Sequence, residues 1–305
     1  MDINYELYKV FYYVATSLSF SEASKQLFIS QSAVSQSIKT LERKLEQPLF
    51  IRSTKKVQLT PAGKVLLKHI EPAMNLIARG ESQLLTSGSL GFGQLHIGAS
   101  DTICRYFLVP YLRQFHRKFP HVPIKVTNAT SLSCVELLEQ GRVDVIITNF
   151  PNAKLNQSYI RKTVRSFTDV FIANPAYFQL KQQELSFQEL NEYPILMLDR
   201  KSTTSEFLHH LFLQHQLELI PEIELSSNDL LIDLARIGLG VAFIPDYCLS
   251  HESNELFIVR TKEKLPARQM IAAVNPMLPP SAPTEAFLAL LPDVQPFAPP
   301  AGSPA

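Results

Sequence analysis

The residues Leu18-Ser-Phe-Ser-Glu-Ala-Ser-Lys-Gln-Leu27 run into Phe28-Ile-Ser-Gln-Ser-Ala-Val-Ser-Gln-Ser-Ile38, followed by Leu41-Glu-Arg-Lys-Leu45 and Pro48-Leu-Phe-Ile-Arg52. Val34, Ile38, Leu41 and Leu45 recur at steps of four, three and four, so they share one face of a helix, and Ser30 is placed to cap its start. Gln31, Ser32, Ser35, Gln36 and Lys39 are left facing out. Upstream, Ala23 and Leu27 lie four apart behind the cap candidate Ser21, and small Ala23 lets two helices approach closely. Leu7, Phe11, Val14 and Leu18 predict the buried stripe of a preceding helix. Two short helices joined by a tight turn, the second carrying small polar groups outward, are what a protein needs to set a helix into the DNA major groove.

The outward residues suit base reading. Gln makes paired hydrogen bonds to adenine, Ser pairs with several base edges, and Lys reaches guanine or phosphate. Charge follows the same half of the chain: residues 1–90 carry 11 Lys plus Arg against 7 Asp plus Glu, whereas the remaining 215 carry 18 against 21. Lys39, Arg43, Lys44, Arg52, Lys55, Lys56 and Lys64 are opposed only by Glu42 and Glu46 between Gln36 and Lys64. Such clustering favours phosphate contact. Arg52-Ser53-Thr54-Lys55-Lys56 falls between two short apolar segments of strand character, Leu49-Phe50-Ile51 and Val57-Gln58-Leu59. It reads as a wing tip lying on the DNA backbone or in the minor groove, with Arg52 the minor-groove candidate.

From Phe11 to Gly63 the chain resembles the winged helix-turn-helix of the LysR-type transcriptional regulators. It has the Ala-rich second helix, Ser30-Gln-Ser-Ala-Val-Ser35, Leu41-Glu42, Pro48-Leu-Phe50, Arg52 and Leu59-Thr-Pro-Ala-Gly63. One departure is Glu46, where the family has Gly. A side chain at a left-handed helix end costs about 1 kcal/mol, so this end is expected to be shaped differently.

Thr60 can cap and Pro61 open a further helix. Leu66, Ile70, Ala73, Ile77 and Leu84 form a heptad-like seam with Gly80 in the missing slot, and Pro72 predicts a bend near Lys68 to Pro72. Its roughly 37 Å length suits pairing with a second copy. Packing on the chain's own second domain is the alternative. The family resemblance implies a linker-helix dimer, and a tetramer through the C-terminal domains. Ser87-Gly-Ser-Leu-Gly-Phe-Gly93 reads as a hinge.

Beyond it strands and helices alternate, which argues a parallel sheet with helices on its faces. Strands are expected at Leu95–Ala99, Ile124–Asn128, Asp144–Thr148, Val170–Ala173, Pro194–Leu198, Glu222–Ser226 and Val241–Pro245, with a return at Arg268–Val274. The helices lie at Phe107–Phe119, Ser133–Gln140, Glu206–His215 and Asn228–Ile237. The expected architecture is an N-terminal all-α winged helix-turn-helix (1–60), a linker helix (61–86), a hinge (87–93) and a two-lobed α/β effector domain (94–292) resembling periplasmic binding proteins. Lobe 1 takes about 94–165 and 267–292, lobe 2 about 166–266, and a Pro-rich tail covers 293–305.

In such sheets ligands bind beyond the carboxyl ends of strands, at helix N-termini. Those ends carry Ser100, Asp101, Thr102, Ser131, Thr148, Asn149, Thr203, Thr204 and Asn228, and the resemblance implies that an inducer cleft lies there. The same Ser and Thr could serve only as helix caps. Asp101 disfavours an anionic ligand, whereas Lys201 and Arg200 favour one, so the charge of the ligand stays open.

Catalysis has little support. The chain has no Gly-x-Ser-x-Gly, no phosphate loop, no His-Glu-x-x-His and no paired Cys-x-x-Cys. His209, His210 and His215 read as a solvated helix face, and no metal or cofactor is expected. Cys104, Cys134 and Cys248 read as buried reduced thiols, with only Cys104, beside Arg105, hinting at redox chemistry. No signal peptide and no run of 18 apolar residues is evident, which predicts a cytoplasmic protein without membrane contact. The expected function is a sequence-specific DNA-binding regulator, activator or repressor, modulated by a small metabolite between two lobes. The alternative is a DNA-binding or architectural protein whose C-terminal domain serves assembly alone. Expected partners are double-stranded DNA at an inverted repeat, the metabolite and further copies of the chain, with RNA polymerase open.

Overall fold

The computed structural model describes residues 3–52, 56–86, 93–249, 255–278 and 280–294. The chain divides into two compact units, the first Met1–Gly91 with Glu139–Arg142 and the second Phe92–Leu138 with Val143–Ala305.

The first unit opens with α1 (Tyr5–Ser17), capped by Asn4, whose Oδ1 accepts from Glu6 N at 2.9 Å. Phe11 and Val14 are fully buried, but Leu18 is 47% exposed. The helix stops one residue earlier than the apolar stripe suggested, with Leu18 in the left-handed conformation (φ 48°) as its C-cap. α2 (Phe20–Leu27) starts ahead of the expected cap Ser21: Ser19 Oγ accepts from Glu22 N at 3.2 Å, and Phe20 becomes a core residue. α3 (Gln31–Leu45) is capped by Ser30, whose Oγ accepts from Ala33 N. Val34, Ile38, Leu41 and Ala23 are fully buried between the helices.

The expectation at Glu46 is corrected. It holds the left-handed conformation (φ 53°) that glycine would take. Its N–H donates to Arg43 O and that of Gln47 to Glu42 O, the double bond pattern that closes a helix end. The strain is accepted and the shape retained.

Two short antiparallel strands follow, β1 (Phe50–Arg52) and β2 (Val57–Leu59). Glu42, read from sequence only as opposing charge, accepts from Leu49 N at 2.8 Å and Phe50 N at 3.2 Å, which ties α3 to the start of the wing. The Leu59-Thr-Pro-Ala-Gly63 run has a local explanation. The Thr60 hydroxyl donates to Pro48 O and accepts from Gly63 N, while a Cβ at Gly63 would lie 2.2 Å from Leu49 O.

α4 (Pro61–Thr86) runs through Pro72. The seam divides: Leu66 and Ile70, with Ala62 and Leu67, pack on the core of the first unit. Val65 (63%), Leu76 and Ile77 (56%) face outward. The side chain of Leu84 and residues 87–92 of the hinge lie outside the described residues.

The second unit begins with β3 (Leu95–Ala99), then α5 (Asp101–Ile103), a π turn (Cys104–Leu108) and α6 (Val109–Lys118) in one helical run. β4 (Ile124–Asn128), α7 (Ser131–Glu139) and β5 (Val145–Phe150) complete a parallel set in which β3 pairs with both neighbours. β6 (Ile160–Ala173) is 14 residues long. Its first part pairs with β12 and its last with β10, so one strand serves both lobes.

Lobe 2 adds β7 (Glu184–Leu185), α8 (Phe187–Leu190), β8 (Ile195–Leu198), α9 (Thr203–Gln214), β9 (Ile223–Leu225), α10 (Asn228–Arg236), β10 (Val241–Pro245) and β11 (Phe257–Thr261). β12 (Ala267–Ala273) returns antiparallel between β5 and β6, and α11 (Ala282–Leu290) packs Phe287 on Phe115. The sheet order is β4-β3-β5-β12-β6-β10-β8-β9. Leu95, Ile97, Leu196, Leu231 and Ile244 share one apolar cluster, which makes the junction of the lobes a packed core. Prolines 296, 299, 300 and 304 of the expected tail lie outside the described residues.

Candidate functional site

On the first unit, α3 buries one face completely and offers the other. Gln31, Ser32, Gln36, Lys39 and Arg43 are exposed, and Ser35 is half-buried. Ser32 Oγ is engaged with Ser30 Oγ at 2.8 Å, so part of its capacity is spent at the helix start. Lys56 is exposed beside the wing. Ser53, Thr54, Lys55 and the side chain of Arg52 lie outside the described residues. A residue not singled out from sequence stands ahead of α3: Phe28, left-handed (φ 55°) and 94% exposed, presents its ring from the turn. A bulky apolar residue between two helix signals was the available clue.

In the second unit the strand ends converge on the junction of the lobes, and most of their polar groups are already engaged. Ser100 Oγ caps α5, accepting from Ile103 N. Asp101 stays exposed and accepts from Asn128 Nδ2. Thr102 Oγ1 accepts from Asn228 Nδ2 at 2.9 Å, joining lobe 1 to lobe 2 directly. Asn152 Nδ2 donates to Ser131 O and to Thr148 Oγ1. Asn149 Oδ1 takes the Tyr247 hydroxyl at 3.5 Å. Ser131, Thr148, Asn149, Thr203, Thr204 and Asn228 are all buried. Ser202 and Ser227 carry the caps of α9 and α10, which leaves Thr203, Thr204 and Asn228 in the first turns.

A second contact spans the lobes nearby. Asp229 Oδ1 accepts from the Tyr106 hydroxyl at 2.5 Å and lies 3.5 Å from Arg105 Nε, so two consecutive side chains of the π turn meet one carboxylate.

Arg268 was missed as a site residue. It stands where β12 meets β6, is 2% exposed, and donates from Nη1 to Asp169 Oδ2 at 2.7 Å and to Thr204 Oγ1 at 3.2 Å. Its guanidinium lies over the rings of Phe207 (4.9 Å) and Phe167 (5.4 Å). Burial raises the pKa of Asp169, which Arg268 opposes. The signal in the sequence was a cation near the start of the mostly apolar segment Arg268-Gln-Met-Ile-Ala-Ala-Val274.

Lys201 is exposed, and Arg200 lines a separate cavity of about 380 Å³ along α9 with Ser205, His209 and Glu218. Burial, then Arg200, lowers the pKa of His209. His215 stands edge-on to Phe187. Among the described residues no group of three or more His, Cys, Asp or Glu could hold a metal, and no helix is long and apolar enough to cross a membrane. Burial pushes the Cys104 thiol up to about 11, with Asp101 adding to it, and Cys134 up to about 12. Both shifts hold the thiols in the protonated form, the opposite of the lowered pKa that favours thiolate chemistry.

A model described as bacterial regulatory helix-turn-helix protein, lysR family, matches residues 5–64, and one described as LysR substrate binding domain matches residues 89–296. The chain is 28% identical over 261 residues to a probable RuBisCO transcriptional regulator of Cyanidioschyzon merolae, covering 84% of this chain and 85% of that one. It is 27% identical over 235 residues to the HTH-type transcriptional regulator AlsR of Bacillus subtilis, covering 76% and 77%. Among solved structures, a full-length OxyR variant from Pseudomonas aeruginosa superposes with a TM-score of 0.68 at 20% identity, over 95% of this chain and 94% of that one. Full-length CbnR complexed with its target DNA does so with a TM-score of 0.65 at 17% identity, over 95% and 99%. These two share the fold.

Proposed function

The chain belongs to the LysR family of transcriptional regulators, and on that premise we propose that α3 reads its operator through Gln31, Ser32, Ser35, Gln36 and Lys39 while Arg43, Lys56 and the wing hold phosphates. The observation that carries this is the contrast across one helix: Val34, Ile38 and Leu41 are wholly buried, and the opposite face is polar, exposed and free of acidic residues until Glu42. Phe28 adds an apolar contact of the kind a thymine methyl accepts.

The two-lobed domain binds a small effector at the strand ends. Ser100, Asp101, Thr102, Ser131, Thr148, Asn149, Thr203, Thr204 and Asn228 are its candidate contacts. Because Thr102 and Asn228 hold each other, an effector there replaces a direct bridge and shifts the balance between closed and open lobes only by its differential affinity. The exposed row Val65, Leu76 and Ile77 on α4 supports pairing with a second copy. The open edges β4 and β9 of the sheet support assembly into a tetramer. A dimer reads an inverted repeat, acts on transcription through RNA polymerase, and works in the cytoplasm beside its DNA.

Footprinting and salt titration test the DNA half. Gln36→Ala removes on the order of 1 to 3 kcal/mol of discrimination at particular bases. Lys56→Ala weakens all sequences alike and lowers the salt slope by about one unit. Equal, sequence-independent losses in both variants would refute base reading by α3.

A further inference from the structure

The cavity of about 380 Å³ along α9 belongs to lobe 2 alone and has no part in the strand-end site. Glu206, His209 and Leu213 follow at steps of three and four, so one face of the helix forms its wall. Arg200 stands at its edge ahead of the helix, and Glu218 and Leu219 close it from the segment after the helix. Ser205, wholly buried, lines the same cavity, and its Oγ has no hydrogen-bond partner among the described residues. One turn further on, the buried Nε2 of His209 is likewise unpartnered. Polar atoms withdrawn from water are normally matched, so two such atoms in the wall of one cavity point to a polar guest. Burial, then the charge of Arg200, lowers the pKa of His209, which keeps the ring neutral and able to donate or accept.

The charges of the wall narrow the class of guest. Arg200, Glu206 and Glu218 line one cavity, yet no ion pair joins the guanidinium to either carboxylate. Arg200 lies at the start of the 12-residue α9 and Glu218 beyond its end. The helix dipole runs in the same sense, positive at the start and negative at the end. A guest carboxylate is therefore favoured at Arg200, whose planar fork suits it, and an ammonium at Glu218. An ammonium on the carbon next to that carboxylate would instead face the guanidinium and the positive end of the helix. Between the two ends Leu213 and Leu219 offer an apolar wall for an aliphatic stem. Two carboxylates against one guanidinium disfavour a guest that is anionic overall. A metal ion does not fit, because among the described residues no three His, Cys, Asp or Glu could hold one.

We infer that this cavity binds a small ω-amino acid, its carboxylate on Arg200, its aliphatic stem across Leu213 and Leu219, and its terminal ammonium on Glu218. Ser205 Oγ and His209 Nε2 supply the hydrogen bonds at the carboxylate end. The inference goes beyond the effector reading of the strand ends and does not depend on it. The two places share one helix, since Thr204 and Phe207 of α9 touch Arg268.

Calorimetry of the full chain with γ-aminobutyrate and ε-aminocaproate tests the site, beside three matched analogues: caproate, which lacks the ammonium; hexylamine, which lacks the carboxylate; and norleucine, which carries the ammonium next to the carboxylate. At least one of the two ω-amino acids is expected to bind, and each analogue to bind at least tenfold more weakly. Arg200→Gln and Glu218→Gln alter exposed side chains, so both variants keep the wild-type Tm without ligand while losing at least tenfold in affinity. Arg200→Gln does not weaken hexylamine, which never used that group. Hydrogen exchange places the ligand: amides of α9 and of 218–219 gain protection, and those of 101–108 and of the first turn of α10 do not. No binding of either ω-amino acid, an analogue that binds as well, or wild-type affinity in Arg200→Gln or Glu218→Gln overturns the inference. Protection at 101–108 in place of α9 also overturns it, and would assign the ligand to the strand-end cleft and so sustain the effector reading.

Discussion

Replacing Tyr106 by Phe removes the hydroxyl that reaches Asp229 across the lobes and leaves the ring in place. A hydrogen bond to a charged acceptor contributes about 1.5 to 3 kcal/mol net. The Asp229 side chain is 28% exposed and Arg105 remains 3.5 Å away, so solvent and the guanidinium compensate part of the loss. The lower end of that range, about 1.5 to 2 kcal/mol, applies. It shifts the ratio of closed to open lobes by roughly 10- to 30-fold. Hydrogen exchange on the full chain reads this locally: amides in the first turn of α10 and in 101–108 exchange about tenfold faster, while those of the β8 and β10 cores do not change. Effector affinity falls by the same factor if the closed form is the one that binds. Unchanged exchange would refute the idea that this contact holds the lobes. So would uniform acceleration across the whole second unit, which reports general destabilisation.

Three further outcomes follow from the same geometry. Ile77→Glu separates protomers in sedimentation while leaving the thermal stability of the first unit intact. Ile70→Glu instead unfolds that unit, because Ile70 packs on its core; equal behaviour of the two would contradict the division of the α4 seam. Gly63→Ala drives a Cβ into Leu49 O at 2.2 Å, so the wing must shift, and operator affinity falls together with Tm; a Tm equal to wild type would show that the site relaxes freely. Glu189, with its carboxylate on Lys262, Ser186 N and Ser186 Oγ, is held down to about 2 from 4.5. A depressed folded pKa stabilises above the unfolded value, and that contribution is lost as pH falls from about 4.5 toward 2. Denaturant titration of Glu189→Gln therefore matches wild type at the acid end and falls below it at neutral pH, and a constant gap across that window would contradict the linkage.

Much of this molecule was legible because its helices obey a single period. Val34, Ile38 and Leu41 could be placed inside from spacing alone, and Ser30 identified as a cap. Boundaries were harder where two candidates competed. Ser19 and Ser21 can both cap α2, and only the burial of Phe20 selects Ser19. The α4 seam misled because apolar residues on a long helix do not announce which partner they meet. In the second unit the buried parallel strands read clearly, whereas Ile160-Arg-Lys-Thr-Val-Arg-Ser-Phe-Thr-Asp169 carries so many polar groups that the first part of β6 was unreadable. It is sheltered by pairing with β12 from a distant part of the sequence. The strand ends were found from topology, but their mutual engagement, as between Thr102 and Asn228, is tertiary information. Arg268 shows the same limit: a charged side chain signals its role only when the three segments around it are brought together.

The insertion of lobe 2 between β6 and β12 also sets a schedule for synthesis. β5, whose residues Val145 to Asn149 are all buried, has β12 as its neighbour, yet Phe150 pairs with Gln269, about 120 residues later. At 5 to 20 residues per second the ribosome takes roughly 6 to 24 s to deliver that partner. During this interval the nascent chain displays an apolar edge able to pair with strands of other chains. The first unit, drawn from Met1–Gly91 apart from the short stretch Glu139–Arg142, is delivered long before. A cell making this regulator therefore holds, for several seconds per molecule, a chain whose DNA-binding end has been delivered while its sensor still lacks a central strand.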